Sequence, residues 1–156
     1  MGIYTTEEMV FRKPHLFDKD VILDLRAEML ASCCKFNGTS DLDLYNDYVE
    51  WIAHILNISA YNITGESYNT YIAIRKSDNK LVGMAQIKFN FNNRDLTTTA
   101  HIIECVRPSE RRKGYGRLVL QKGIEECRSL GIRKDKLTFE RNSKASTGTM
   151  NKISNF

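Results

Sequence analysis

The chain has 156 residues, of which 42% are hydrophobic and 27% are charged, and its net charge is +4. These values are typical of one globular domain with a core of its own and exclude a second domain, so residues 1–156 are interpreted as a single unit. No run approaches the roughly 20 apolar residues of a membrane span, and neither a signal peptide nor a cysteine framework is visible, so we expect a cytoplasmic protein.

The first half of the chain is predicted to be mainly helical. Val10–Arg12 is a candidate short strand, and Asp18 or Asp20 can cap a helix that carries apolar residues at helical spacing. Ser40 is a plausible cap for a second helix. Its apolar stripe, which we interpret as core, consists of Leu44, Tyr48, Trp51, Ile52, Ile55 and Leu56.

From Thr70 onward, the hydrophobic pattern of the sequence changes to a period of two residues. Residues 70–76 and 81–91 are predicted to form an antiparallel hairpin around the turn residues 77–80, and Thr97–Val106 is predicted as the next strand. Pro108 ends that strand. The remaining elements are predicted to be a helix, a short strand and a final helix, at Tyr115–Ser129, Lys136–Phe139 and Ser143–Ile153.

The segment 107–117 carries as much positive charge as the whole chain. It holds one acid, Glu110, and five basic residues, Arg107, Arg111, Arg112, Lys113 and Arg117. A patch this concentrated favours an anionic ligand of limited size, whereas nucleic-acid binders usually spread their basic residues along a face. Because the segment also joins a strand to a helix N-terminus through two glycines, it is suited to bind phosphate.

Two common phosphate-binding motifs do not match. A Walker A loop requires a different spacing, and a dinucleotide fingerprint requires a glycine where this chain has Val119. What remains is the pattern R/Q-x-x-G-x-G/A at Arg111–Gly116, which resembles the acetyl-CoA signature of the GNAT superfamily of N-acetyltransferases. The resemblance covers about Phe11–Phe156, and VRPSERRKGYG is most similar to a bacterial branch of predicted acetyltransferases.

The resemblance implies an α+β (α/β) fold with a mixed central sheet and flanking helices, and acetyl-CoA as the cofactor. It places the CoA pyrophosphate on backbone N–H groups and basic side chains of Arg111, Arg112, Lys113, Gly114, Tyr115, Gly116 and Arg117. The main chain of Cys105 and Val106 is expected to meet the pantetheine arm, and the N–H of Val106 is the candidate oxyanion contact. Asn142, which begins a loose N-x-x-A match at 142–145, and Ser146, which follows that match, are expected beside the cofactor.

The chain departs from the family pattern in three places. In family members that use a carboxylate on this strand as the base, that residue corresponds to Ala100 here, which cannot serve. Glu104, on the same strand face, is therefore the candidate catalytic base. The tyrosine that many family members use as a general acid corresponds to Thr149 in this sequence. The family usually continues with two more strands, whereas this sequence stops at Phe156; a partner subunit in a homodimer, a truncated form or lost catalysis could each account for the missing C-terminal strands.

The sequence therefore predicts an acetyl-CoA-dependent N-acetyltransferase that acts on a primary amine of a small molecule or a peptide, without a metal, a membrane or a nucleic acid. Two alternatives remain open. One is a CoA-binding protein of the same fold that has lost catalysis, and the other is a nucleic-acid-binding module that uses the basic loop.

Overall fold

A computed structural model of the protein describes residues 8–60 and 62–141. Within these residues a mixed five-stranded sheet is flanked by three α-helices, which is the fold class that the sequence predicts. The strands are β1 (Met9–Arg12), β2 (Glu66–Arg75), β3 (Lys80–Asn92), β4 (Thr97–Val106) and β5 (Leu137–Arg141). The helices are α1 (Lys19–Ala31), α2 (Tyr48–Ile58) and α3 (Tyr115–Ser129).

The strands lie in the sheet in their order along the chain. Neighbouring strands from β1 to β4 are antiparallel, whereas β5 runs parallel to β4 after the α3 crossover. Helices cover both faces, so the sheet separates two apolar clusters. One lies under α3 and includes Ile87, Ile102 and Leu120; the other lies under α1 and α2 and includes Met29, Trp51 and Met84. None of the helices in the described ranges is long and apolar enough to cross a membrane.

The hydrogen-bond register at the end of β4 determines which backbone groups reach its outer edge. The N–H of Arg107 donates to the carbonyl of Val82 over 2.8 Å, and Val106 faces Gly83 as a non-hydrogen-bonded pair. The main-chain N–H and C=O of Val106 therefore point away from β3, toward the side where β5 lies. Those of Cys105, one residue earlier, point toward β3.

Most predicted elements are present, with shifted boundaries. The short N-terminal strand, the β2–β3 hairpin, β4, α3 and the parallel β5 are confirmed. The predicted start of the second helix is wrong: Leu44 lies in a separate 3₁₀ turn, Leu42–Leu44, and α2 begins at Tyr48. Asp47 caps α2 because its carboxylate accepts hydrogen bonds from the first-turn amides, an arrangement that Ser40 cannot provide from seven residues upstream.

The interpretation of the whole stripe of α2 as core also needs correction. Trp51 is fully buried, but the side chains of Leu44 and Leu56 are 72% and 67% exposed. The final predicted helix, 143–153, lies outside the described residues.

We expect Gly83→Ala to destabilise the fold. A Cβ at this position would lie 2.8 Å from the carbonyl oxygen of Cys105, a backbone atom that cannot move without disturbing β4. The expected loss is about 1–3 kcal/mol in the free energy of unfolding, measured by urea denaturation. Gly123→Ala in α3 is the matched control, because its Cβ would meet only the Ile102 side chain at 3.2 Å and alanine favours the helix. Equal losses in both variants would contradict this packing argument.

Candidate functional site

The backbone between β4 and α3 forms a concave turn. Arg112 and Gly114 both adopt left-handed conformations, with φ of 65° and 91°, and α3 begins directly after them. The first helical hydrogen bond is donated by Leu118 to the carbonyl of Gly114, over 3.2 Å. The amides of Gly116 and Arg117 precede that bond, so they point out of the helix end together with its positive dipole. Such alternation of left- and right-handed residues forms an anion-binding concavity.

Gly114 leaves space where this concavity opens. A Cβ added there would meet nothing within 4 Å, and the residue is exposed. The backbone can therefore be approached closely by a ligand, which is the fit that a diphosphate group requires. The side chain of Tyr115 is 2% exposed and its hydroxyl accepts a hydrogen bond from Arg75, so only the main chain of Tyr115 is placed toward the concavity.

The basic residues of the loop have different environments. Arg112, Lys113 and Arg117 are exposed around the concavity, and the Nε of Arg111 donates to the carbonyl of Val106 over 3.1 Å. Arg107, which the sequence analysis counts in the positive patch, is not available to a ligand. Its side chain is 3% exposed and forms ion pairs with α1.

A buried carboxylate beneath the loop holds it against the β2–β3 hairpin. The side chain of Glu110 is 5% exposed and accepts hydrogen bonds from Arg75 at 2.7 Å and from Lys113 at 3.2 Å. Arg75 also donates to Tyr115 and to both oxygens of Asp78. Burial by itself raises the pKa of Glu110, but the hydrogen bonds from Arg75 and Lys113 outweigh it and lower the pKa below its usual value. The first turn of α3 is thereby tied to the far end of β2.

The predicted base is not in open solvent. Glu104 is fully buried, on the sheet face that α3 covers, where it follows Ala100 and Ile102 by two-residue alternation. His101 lies on the opposite face and contacts Thr138 and Glu140 at 2.5 and 3.3 Å. The structure therefore brings Glu104 and Val106 onto one strand end, two residues apart. Asn142, Ser146 and Thr149 lie outside the described residues.

Sequence reasoning missed two parts of this region. The sequence shows Glu110 as the one acid of the basic segment 107–117, but it carries no sign that Arg75 is the partner of this carboxylate. The second part is the loop between α1 and α2, which crosses the opposite sheet face. Gly38 packs on the Ile103–Glu104 peptide there, and a Cβ would lie 3.0 Å from the carbonyl oxygen of Ile103. A pocket of about 290 Å³ opens beside it.

The model of the acetyltransferase (GNAT) family matches residues 30–155. A search of curated protein sequences finds no match for this chain.

Several solved structures are similar to this chain over most of its length at low sequence identity. Glucosamine-6-phosphate N-acetyltransferase from Arabidopsis thaliana has a TM-score of 0.61 and 16% identity, over 95% of this chain and 90% of that one. A predicted acetyltransferase with acetyl-CoA from Clostridium acetobutylicum has a TM-score of 0.54 and 19% identity, over 92% and 87%. An aminoglycoside acetyltransferase from an uncultured soil metagenomic sample, in complex with sisomicin, has a TM-score of 0.58 and 13% identity, over 96% and 87%. At these identities the likeness shows the fold.

We expect Glu110→Gln to lower stability by about 1–3 kcal/mol at neutral pH, because the amide cannot replace a buried carboxylate that faces three cations, Arg75, Lys80 and Lys113. The sign of the pH dependence follows from the lowered pKa. The contribution of Glu110 is complete above the usual carboxyl pKa of 4.5 and is lost as the pH falls through its lower folded value. The stability difference between the wild type and the variant, measured by urea denaturation, should therefore shrink as the pH falls from 6 toward 3. A difference independent of pH would contradict this role.

Proposed function

Because this chain belongs to the acetyltransferase (GNAT) family, whose model matches residues 30–155, we propose that it transfers the acetyl group of acetyl-CoA to a primary amine by direct attack on the thioester. The observation that carries the proposal is the open concavity at Gly114, with helix amides and exposed cations around it. The domain acting is taken to be the single unit 1–156.

The loop residues would bind the pyrophosphate of the cofactor. The amides of Gly116 and Arg117 donate from the helix end, and Arg112, Lys113 and Arg117 supply positive charge at the rim. Arg111, bound to the carbonyl of Val106, supplies a further charge where the loop meets β4. Because Glu110 holds the loop from below, these donors are ordered before a ligand arrives, which reduces the entropy cost of binding.

The end of β4 would carry the chemical step. When bound, acetyl-CoA would supply the acetyl thioester that a neutral amine attacks, and CoA would leave as the thiol after its sulfur takes up a proton. The N–H of Val106 points to the outer edge of β4, which supports its role as donor to the developing oxyanion and as a contact of the pantetheine arm. Cys105 directs its main-chain groups toward β3 and its side chain toward Met29, so we assign it the role of holding the neighbouring Val106 in position. Asn142 and Ser146 are kept as proposed contacts of the cofactor.

Glu104 is the proposed acceptor of the proton from the amine. Its place two residues before Val106 supports this assignment, and its complete burial means that the proton would reach it through an intervening group or water. The acceptor is a primary amine that the fold does not specify, since the similar structures are named for a sugar phosphate in one case and for an aminoglycoside in another.

We expect Gly114→Asp to weaken acetyl-CoA binding at least about 100-fold, because a carboxylate would occupy the place of the pyrophosphate. The measurement is isothermal titration calorimetry with acetyl-CoA. Gly131→Asp is the matched control: Gly131, beyond the other end of α3, is also left-handed, with φ of 83°, and also has open space around its Cβ position. Both variants therefore bear the same backbone strain of about 1 kcal/mol, and only the first should lose binding. Unchanged affinity of Gly114→Asp would refute the loop assignment.

We expect Glu104→Gln to lower kcat by about 10²–10⁴-fold while the affinity for acetyl-CoA stays within a factor of about three, since only the proton acceptor is removed. Thiol release with a panel of amines measures kcat, and calorimetry measures the affinity. Glu140→Gln, an exposed carboxylate on β5, is the control. A kcat unchanged in Glu104→Gln would assign the base elsewhere, and normal binding without turnover in the wild type would favour the alternative of a CoA-binding protein that has lost catalysis.

A further inference from the structure

The pocket beside Gly38 is the second concave feature next to β4. It is an open pocket of about 290 Å³ between the α1–α2 loop and the face of β3 and β4 opposite to α3. This volume is close to the lower end of the usual range for small-molecule sites, about 300–1,000 Å³. Its floor is formed by Ile103 and Gln86, which are partners in the β3–β4 register. The pocket is thus continuous with the strand that carries Val106.

The loop that forms the opposite wall is held rigidly. The hydroxyl of Ser40 is hydrogen-bonded to that of Thr70 over 2.6 Å, and the indole N–H of Trp51 donates to the carbonyl of Ser40 over 2.9 Å. All three side chains are buried. Together with the close contact of Gly38 on β4, these bonds keep the pocket open as a preformed cavity.

The charge of the lining is opposite to that of the chain as a whole. Two carboxylates, Asp41 and Asp43, line the pocket, and its described lining includes no basic side chain. Outside the lining, the Nε2 of His54 is hydrogen-bonded to one carboxylate oxygen of Asp41 over 3.0 Å, and the guanidinium of Arg26 is bound to the main-chain carbonyls of Leu42 and Asp43. The rest of the wall is amide or apolar and includes Phe36, Leu44 and Ile103. A ligand with an aliphatic chain and an ammonium group would fit this lining, because its chain would pack on the apolar wall and its ammonium group would lie beside the carboxylates.

The separation of the pocket from the end of β4 sets the length of such a ligand. Ile103 precedes Val106 by three residues, which at about 3.3 Å per residue corresponds to roughly 10 Å along the strand. A ligand that presents one amine at Val106 therefore extends into the pocket only if it carries a chain several bonds long. We propose that this pocket is the acceptor site and that it selects linear diamines or polyamines, holding their distal ammonium at Asp41 and Asp43. This inference rests on the proposed function and names its substrate class.

The test compares 1,7-diaminoheptane with heptylamine, which has the same carbon chain and one charge fewer. Calorimetry in the presence of CoA measures the affinity of the wild type for each amine, and thiol release from acetyl-CoA measures kcat/KM. We expect the diamine to be favoured about 10-fold in both. Asp43→Asn should reduce this preference about threefold, and the double variant with Asp41→Asn should abolish it, with the affinity for heptylamine unchanged. Asparagine also tolerates the left-handed backbone of Asp41, so these variants should fold.

Asp135→Asn is the control for net charge, because Asp135 pairs with Arg133 on the surface, outside the pocket lining. It should leave the preference for the diamine unchanged. Equal affinities of the wild type for the two amines, or a preference that survives in the double variant, would overturn the inference even if acetyl-CoA binds normally. Absence of acetyl-CoA binding in the same wild-type sample would instead overturn the proposed function, so the two failures are distinguishable.

Discussion

Two buried charges of opposite sign, three residues apart at the end of β4, determine how the parts of this protein meet. Arg107 donates to the carbonyl of Leu81 on β3 and to Glu28 and Asp24 on α1, at 2.7–2.9 Å. Glu110 is bound instead by Arg75 at the end of β2. A buried charge without partners would cost several kcal/mol, so neither residue can be accommodated unless β3, α1 and the hairpin are all in place.

These two charges also order the loop from both sides. On the α1 side, Glu28 accepts hydrogen bonds from the amide and the hydroxyl of Ser109 as well as from Arg107. Burial raises the pKa of Glu28, but these bonds outweigh it and lower the pKa below its usual value. On the hairpin side, Arg75 also bonds to Asp78 and lowers the pKa of that carboxyl to about 2. The exposed cations of the loop are therefore presented from a backbone anchored at both sides, which is the preorganisation that anion binding requires.

The sheet divides the proposed functions between its two faces. On one face α3 aims its N-terminus at the loop and covers Glu104. On the other face the α1–α2 loop, with Gly38 packed on the Ile103–Glu104 peptide, encloses the acidic pocket. β4 belongs to both, because successive residues of a strand face opposite sides. The outward-pointing N–H of Val106 lies at the end of this shared strand, so in the proposed reaction a cationic acceptor and an anionic cofactor would approach it from surfaces of opposite charge.

The sequence by itself determined the parts of the structure that depend on local chemistry. Two-residue alternation identified the hairpin and β4, and the spacing of arginines and glycines in 111–116 identified the family and predicted a phosphate-binding turn. The partners of Arg107 were not accessible in this way, since Glu28 and Asp24 lie 79 and 83 residues away along the chain. For the same reason Arg107 is counted in the sequence analysis among the positive charges available to a ligand, although this residue is buried. Only the tertiary structure decided that Arg107 is buried, that Leu44 lies outside α2 and that an acidic pocket faces β4, because burial and cavity shape arise from segments that meet only when the chain is folded.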